Sequence, residues 1–195
     1  MKKPLKLIAM GFVLLTAFSA YADALNSERH LEESRKTAQE FVQKLGGVLK
    51  AQFETTGAEQ AINVCKEVAP ALAQEYSHNN KIVKRVSLKN RNPNLGVADD
   101  WEVAVLKEFE LKNKPDNSTP QEHYEIIENT DGQWFRYMKA IPTQQMCLQC
   151  HGKPADIKPN IQARLLKEYP SDKAIGYSVG EIRGAVSIRQ KLSEH

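Results

Sequence analysis

Two cysteines and a histidine fall within five consecutive positions of this chain, Cys147-Leu148-Gln149-Cys150-His151. Three chemistries use such a spacing. Thiols two residues apart can add to the two vinyl groups of one porphyrin, and the histidine that follows is then held beneath the ring, where its imidazole can bind iron. A dithiol redox couple also uses Cys-x-x-Cys, but its low-potential versions start a helix after a strand in a βαβ unit. The preceding Lys139-Ala140-Ile141-Pro142-Thr143-Gln144-Gln145-Met146 has no such unit around it. A zinc site needs four ligands, for which the third cysteine, Cys65, is available; structural zinc usually draws on two paired clusters, and Cys65 stands alone. A disulfide between two of the three thiols would explain neither the spacing nor the adjacent histidine. Haem attachment accounts for all three residues and is the favoured reading.

If Cys147 and Cys150 become thioethers, Cys65 is left without a thiol partner, which exported proteins usually avoid. Ala58, Ala61, Ile62, Cys65, Val68, Ala69, Leu72, Ala73 and Tyr76 recur on one helical stripe, so Cys65 faces inward. Its neighbours are small, which leaves room for a flat object, and Pro70 should kink or restart the helix just beyond it. Iron held by His151 has a second axial position that Cys65 could fill. Met138, His78 and His123 compete for it, Met146 adjoins Cys147 and so reaches the opposite face of a ring only with difficulty, and a lone cysteine is commonly just a small buried hydrophobe. Haem carboxylates need cationic or hydrogen-bonding partners. Lys84, Arg85, Lys89 and Arg91 form the nearest basic run, within which Arg91 is named for that role against the alternative of a solvated face.

These residues must be carried by a chain of 195 residues whose first 22 read as a cleavable signal peptide. Met1 to Lys6 is basic, Leu7 to Ala17 is apolar but short, and Ala20-Tyr21-Ala22 fits a cleavage site. The expected product, residues 23–195, is one exported domain, periplasmic or secreted, with no lipid anchor or spanning segment. The leader holds Lys2, Lys3 and Lys6 and no acid, so 24 of the 27 basic side chains remain, against 24 acidic ones. A formally neutral product carries none of the basic excess that nucleic-acid binding uses.

Apolar spacing predicts a long amphipathic helix from about Ser27 to Thr55, interrupted at Gly46-Gly47, then the helix bearing Cys65. Ile82 to Leu88 reads as a strand, and Asp99-Asp100-Trp101-Glu102 as the capped start of a helix running to about Leu111. Asn117-Ser118-Thr119 matches a glycosylation pattern that is common on surfaces. His123 to Ile127 and Gln133 to Ile141 form strands joined through Asn129-Thr130-Asp131-Gly132. A short helix near Ile161 to Glu168 precedes a closing hairpin with strands centred on Tyr177-Ser178-Val179 and on Ala185 to Arg189. Helices first and antiparallel strands after give an α+β domain.

In this order, "AINVCKEVAPALAQEYS", "RNPNLGVADDWE", "CLQCHG" and "YPSDKAIGYSVGEIRGAVSI" resemble a family of exported single-haem proteins, long a domain of unknown function and first examined structurally in cyanobacteria. The resemblance spans essentially the whole chain after the leader. It implies a PAS-like fold and one covalently attached haem c on Cys147 and Cys150, with His151 as proximal and Cys65 as distal ligand. Such a thiolate favours ferric iron and lowers the reduction potential relative to histidine-methionine ligation. The expectation is then a low-potential c-type cytochrome that carries electrons, or reports redox state or a small gas, to an unidentified redox or signalling protein. Reduction would loosen Cys65, with Pro70 as a hinge. A haem peroxidase or reductase is the alternative, and it needs an open or readily opened distal site with a base or cation above the iron, a group that the sequence does not identify. A zinc or thiol-disulfide protein without haem comes after it.

Overall fold

The computed structural model describes residues 9–113 and 121–193, with side chains over 25–113 and 121–192. The basic start of the expected leader and the Asn117-Ser118-Thr119 triplet lie outside the described residues. The expected cleavage point after Ala22 falls inside the first helix.

That helix, α1 (Ala9–Thr56), runs unbroken through Gly46 and Gly47, where the sequence predicts an interruption. Two glycines weaken a helix by about 1 kcal/mol each relative to alanine. Burial of Leu31, Ala38, Phe41 and Leu45 along one face supplies the compensating tertiary packing. Gly57, at φ 84°, turns the chain into α2 (Ala58–Asn63) in a backbone conformation that costs glycine least.

Between α2 and α3 (Ala69–Glu75) lies one wide helical turn, Val64–Val68, in which the Ala69 N–H donates to the Val64 carbonyl five residues back. Pro70 is the cause. It lacks an N–H and its ring would press on the carbonyl four residues earlier, so the backbone widens just ahead of it. The extra residue rotates the helical phase. Val64 turns into the core and Val68 is left 37% exposed, a correction to the uniform stripe that the sequence predicts.

Strands β1 (Lys81–Val86), β2 (Glu122–Asn129), β3 (Gly132–Pro142) and β4 (Ile182–Ser193) form one antiparallel sheet in the order β1-β4-β3-β2. β2 and β3 close as a hairpin with Asn129 opposite Gly132, which sits at φ 118°. The strand expected at Tyr177-Ser178-Val179 does not form. Both edges of β4 are already occupied by β1 and β3, and the Gly176 and Tyr177 N–H groups bond instead to the Gly152 and His151 carbonyls.

Side-chain alternation gives the sheet two apolar faces. Val83, Phe135, Tyr137, Val186 and Ile188 meet α1 and α3, while Val86, Met138, Ala140 and Ala185 meet α4 (Asp100–Lys112). The capping box of Asp99 and Glu102 is present, and buried Glu102 also binds Lys84, Arg136 and Ser187 across to the sheet. Two short helices complete the α+β domain: α5 (Leu148–His151) and α6 (Pro159–Glu168), whose Ile161 and Leu165 pack on Ile62 and beside Cys150. Among the described residues no helix is long and apolar enough to cross a membrane.

Candidate functional site

A cavity of about 540 Å³ opens between α1, the wide turn, β1 and α5, within the range of small-molecule and cofactor sites. Cys65, Arg91, Cys147, Cys150 and His151 all border it, so the fold brings together every site residue singled out from the sequence. The competitors for the second axial position do not. Met138 is fully buried on the α4 face, His123 lies against Trp101 near Glu108, and neither they nor His78 reach the cavity. Met146 does border it, next to Cys147. The remaining wall is mostly apolar, with Phe41, Leu45 and Leu49 from α1 and Ala61, Ile62 and Ala69 around Cys65. Gly46 lies on this wall, and a Cβ added there would meet nothing within 4 Å.

The Cys-x-x-Cys-His segment is held at both ends. Thr143, just past β3, donates its N–H to Glu181 O at 2.8 Å and accepts from Gly180 N at 2.8 Å. A tight turn, Gln145–Cys147, then leads into α5. Beyond His151 the chain needs glycine on steric grounds, because a Cβ at Gly152 would lie 2.6 Å from the Leu148 carbonyl oxygen. The 174–177 segment, which leads into the strand expected around Tyr177-Ser178-Val179, serves as a brace: Tyr177 N donates to His151 O at 2.9 Å and Gly176 N to Gly152 O at 2.8 Å.

This brace also orients the imidazole. His151 Nδ1 lies 2.7 Å from the Ala174 carbonyl oxygen. A carbonyl only accepts, so Nδ1 carries the proton and Nε2 keeps its lone pair, the arrangement of a histidine metal ligand. Burial, followed by the positive charges of Arg183 and Arg91, holds the imidazole's pKa well below its usual value, against the Ala174 bond.

The sign for stability follows from proton counts. In the folded chain without cofactor His151 binds protons less readily than when unfolded, so its contribution is complete above the ordinary value of 6.5 and declines as pH falls through and below it. The urea midpoint of the cofactor-free chain should therefore drop between about pH 7 and about pH 5, and His151→Gln should flatten that dependence. A parent and variant with equal slopes would contradict it.

Burial also pushes the Cys150 thiol up to about 11, with Arg91 opposing. Dithiol redox centres need the reverse, a depressed pKa. All three cysteines are free thiols, and among the described residues no three His, Cys, Asp or Glu side chains are grouped to hold a metal ion. Arg91 is nearly buried; its Nε donates to Asp172 Oδ2 at 2.9 Å, and Nη2 reaches the Cys150 and Ala174 carbonyls. It ties α5 to the brace.

The Tll0287-like family matches residues 18–190. The chain belongs to the Tll0287-like family. A search of curated proteins found no match. Among solved structures the chain is similar to the crystal structure of the cyanobacterial heme-protein Tll0287, with 24% sequence identity and a TM-score of 0.64 over 86% of this chain and 98% of that one. At that identity the likeness establishes the fold that this Tll0287-like chain shares, and function has to be argued from the site.

Within the Tll0287-like cavity the structure adds residues that sequence reasoning missed. Ala174 orients the histidine through its backbone, for which side-chain identity carries no signal. Arg183 brings Nε to 3.3 Å from His151 Nδ1 and donates from Nη1 to Ser87 Oγ at 2.8 Å. It is one arginine at the start of a strand, and only the pairing of β1 with β4 carries it to the site.

Proposed function

We propose that this chain is a periplasmic or secreted monohaem c-type cytochrome that acts as a low-potential electron carrier or redox sensor. The observation that carries the reading is one cavity bordered by Cys147, Cys150, Cys65 and a His151 whose free nitrogen is Nε2. The residues fit a flat, largely apolar group with a coordinating metal: most of the wall is aliphatic and aromatic, and Gly46 leaves space on the α1 side. When bound, the haem supplies one-electron redox chemistry.

The chain's own residues divide the remaining work. Cys147 and Cys150 form the thioether attachments, His151 is the proximal ligand, and Cys65 is the distal ligand. Arg91 serves the cofactor site by fixing the Cys150 and Ala174 carbonyls. The leader ends near Ala22, and the PAS-like domain signals or exchanges electrons through a partner protein. A Cys65 thiolate would suit ferric iron, and Cys65 would be the residue to give way to a small gas once the iron was reduced by the partner protein.

A peroxidase or reductase reading is less well supported, because the described residues bordering the cavity include no aspartate, no glutamate and no second histidine to act as a distal acid–base group. Protein produced with the cytochrome maturation machinery should show a Soret band that survives acid-acetone extraction. Extraction of all colour would refute covalent attachment.

A further inference from the structure

The charges around the cavity do not balance. Lys84, Arg85, Arg91 and Arg183 border it, and no aspartate or glutamate does. Two of these cations are neutralised from behind the wall: Lys84 Nζ lies 2.8 Å from Glu102 Oε2, and Arg91 Nε lies 2.9 Å from Asp172 Oδ2. Among the described residues Arg85 and Arg183 have no ion pair. Arg85 alternates with Val83 on β1 and so shares the sheet face turned towards α1 and α3. Arg183 is half-buried, and its hydrogen bonds to Ser87 Oγ and the Lys89 carbonyl involve neutral oxygens only. Partly burying guanidinium groups beside an apolar cavity with no anion is costly, and the cost disappears when an anionic ligand arrives.

Resting on the haem reading above, we infer that Arg85 and Arg183 are the counter-ions of the two carboxylate side chains of the bound porphyrin. Two uncompensated guanidinium groups meet two carboxylates, and each fork can bind a carboxylate bidentately. The pairing supplies what Arg91, already bonded to Asp172, does not. It also fixes which edge of the ring enters first, and thereby which edge the two thiols meet. Arg183 would then serve a carboxylate from its place beside His151.

The test compares ferric protoporphyrin IX with its dimethyl ester, in which both carboxylates are masked. Each is titrated into the full chain made without maturation enzymes and followed by the Soret band. Hydrogen bonds to charged groups predict that the unmodified chain binds the diacid at least about tenfold more tightly than the diester. Arg85→Gln should shrink that ratio several-fold by weakening the diacid alone, Arg183→Gln, which also stands beside His151, should weaken the diacid several-fold more than the diester, and Arg85→Lys and Arg183→Lys should retain part of the ratio. Arg189→Gln, an equal charge change over the Trp134 ring and away from the cavity, should leave the ratio unchanged. Tight binding of both porphyrins with a ratio near one, or variants that weaken both alike, would overturn this inference alone. Failure of the unmodified chain to bind either porphyrin would overturn the haem reading with it.

Discussion

Replacing Cys147 and Cys150 together by serine will reduce covalently held haem from full occupancy to none while leaving the fold in place. The thiols contribute little else. The Cys147 sulfur accepts a single N–H from Gln144 at 3.4 Å, and Cys150 packs at the edge of the cluster built on Ile62, Ile161 and Tyr169. Serine keeps their size, so the anchors at Thr143, Gly152 and Tyr177 should still set the path of α5. His151 and Cys65 are untouched by this change and should hold haem without covalent bonds. The variant is therefore expected to keep a Soret band that acid-acetone removes completely, whereas the parent retains its colour. Each single substitution should leave one thioether and an intermediate, still extraction-resistant product. Colour that resists extraction in the double variant would place the attachment elsewhere.

Cys65→Ala should have the second largest effect. Removing a thiolate takes a negative charge from the iron, so the reduction potential should rise by on the order of 0.2 V, within the roughly 0.8 V over which axial ligands command the potential. The ferric spectrum should change to that of a high-spin or solvent-ligated iron. Folding should survive, since the wide turn that carries Cys65 is imposed by Pro70 and by packing of Val64 and Ala69. Equilibrium potentiometry and the ferric absorption spectrum read both effects. A potential and spectrum identical to the parent's would show that some other group is the distal ligand.

Local chemistry was more legible in the sequence than long-range assembly. The Cys-x-x-Cys-His spacing, the Asp99–Glu102 capping box and the Asn129–Gly132 hairpin are written in residues close together in the chain, and each appears where expected. The inward placement of Cys65 was also legible, although the phase of its helix was not. Helical periodicity assumes a constant turn, and the widened turn before Pro70 exchanges Val64 for Val68. Tyr177-Ser178-Val179 has strand-forming residues, but sheet partners are decided by tertiary pairing, and β4 had none to offer it. Arg183 and Ala174 were hidden for a related reason. Their roles depend on β1 meeting β4 and on the brace meeting α5, contacts between segments far apart in sequence.

Intact-mass measurement of the exported chain, followed by peptide mapping, bears most directly on the central claim. The mass should equal that of residues 23–195 plus one haem, with the added mass confined to the peptide containing Cys147 and Cys150. A mass equal to the bare polypeptide from cells that mature other c-type cytochromes, or haem found on any other peptide, would contradict it.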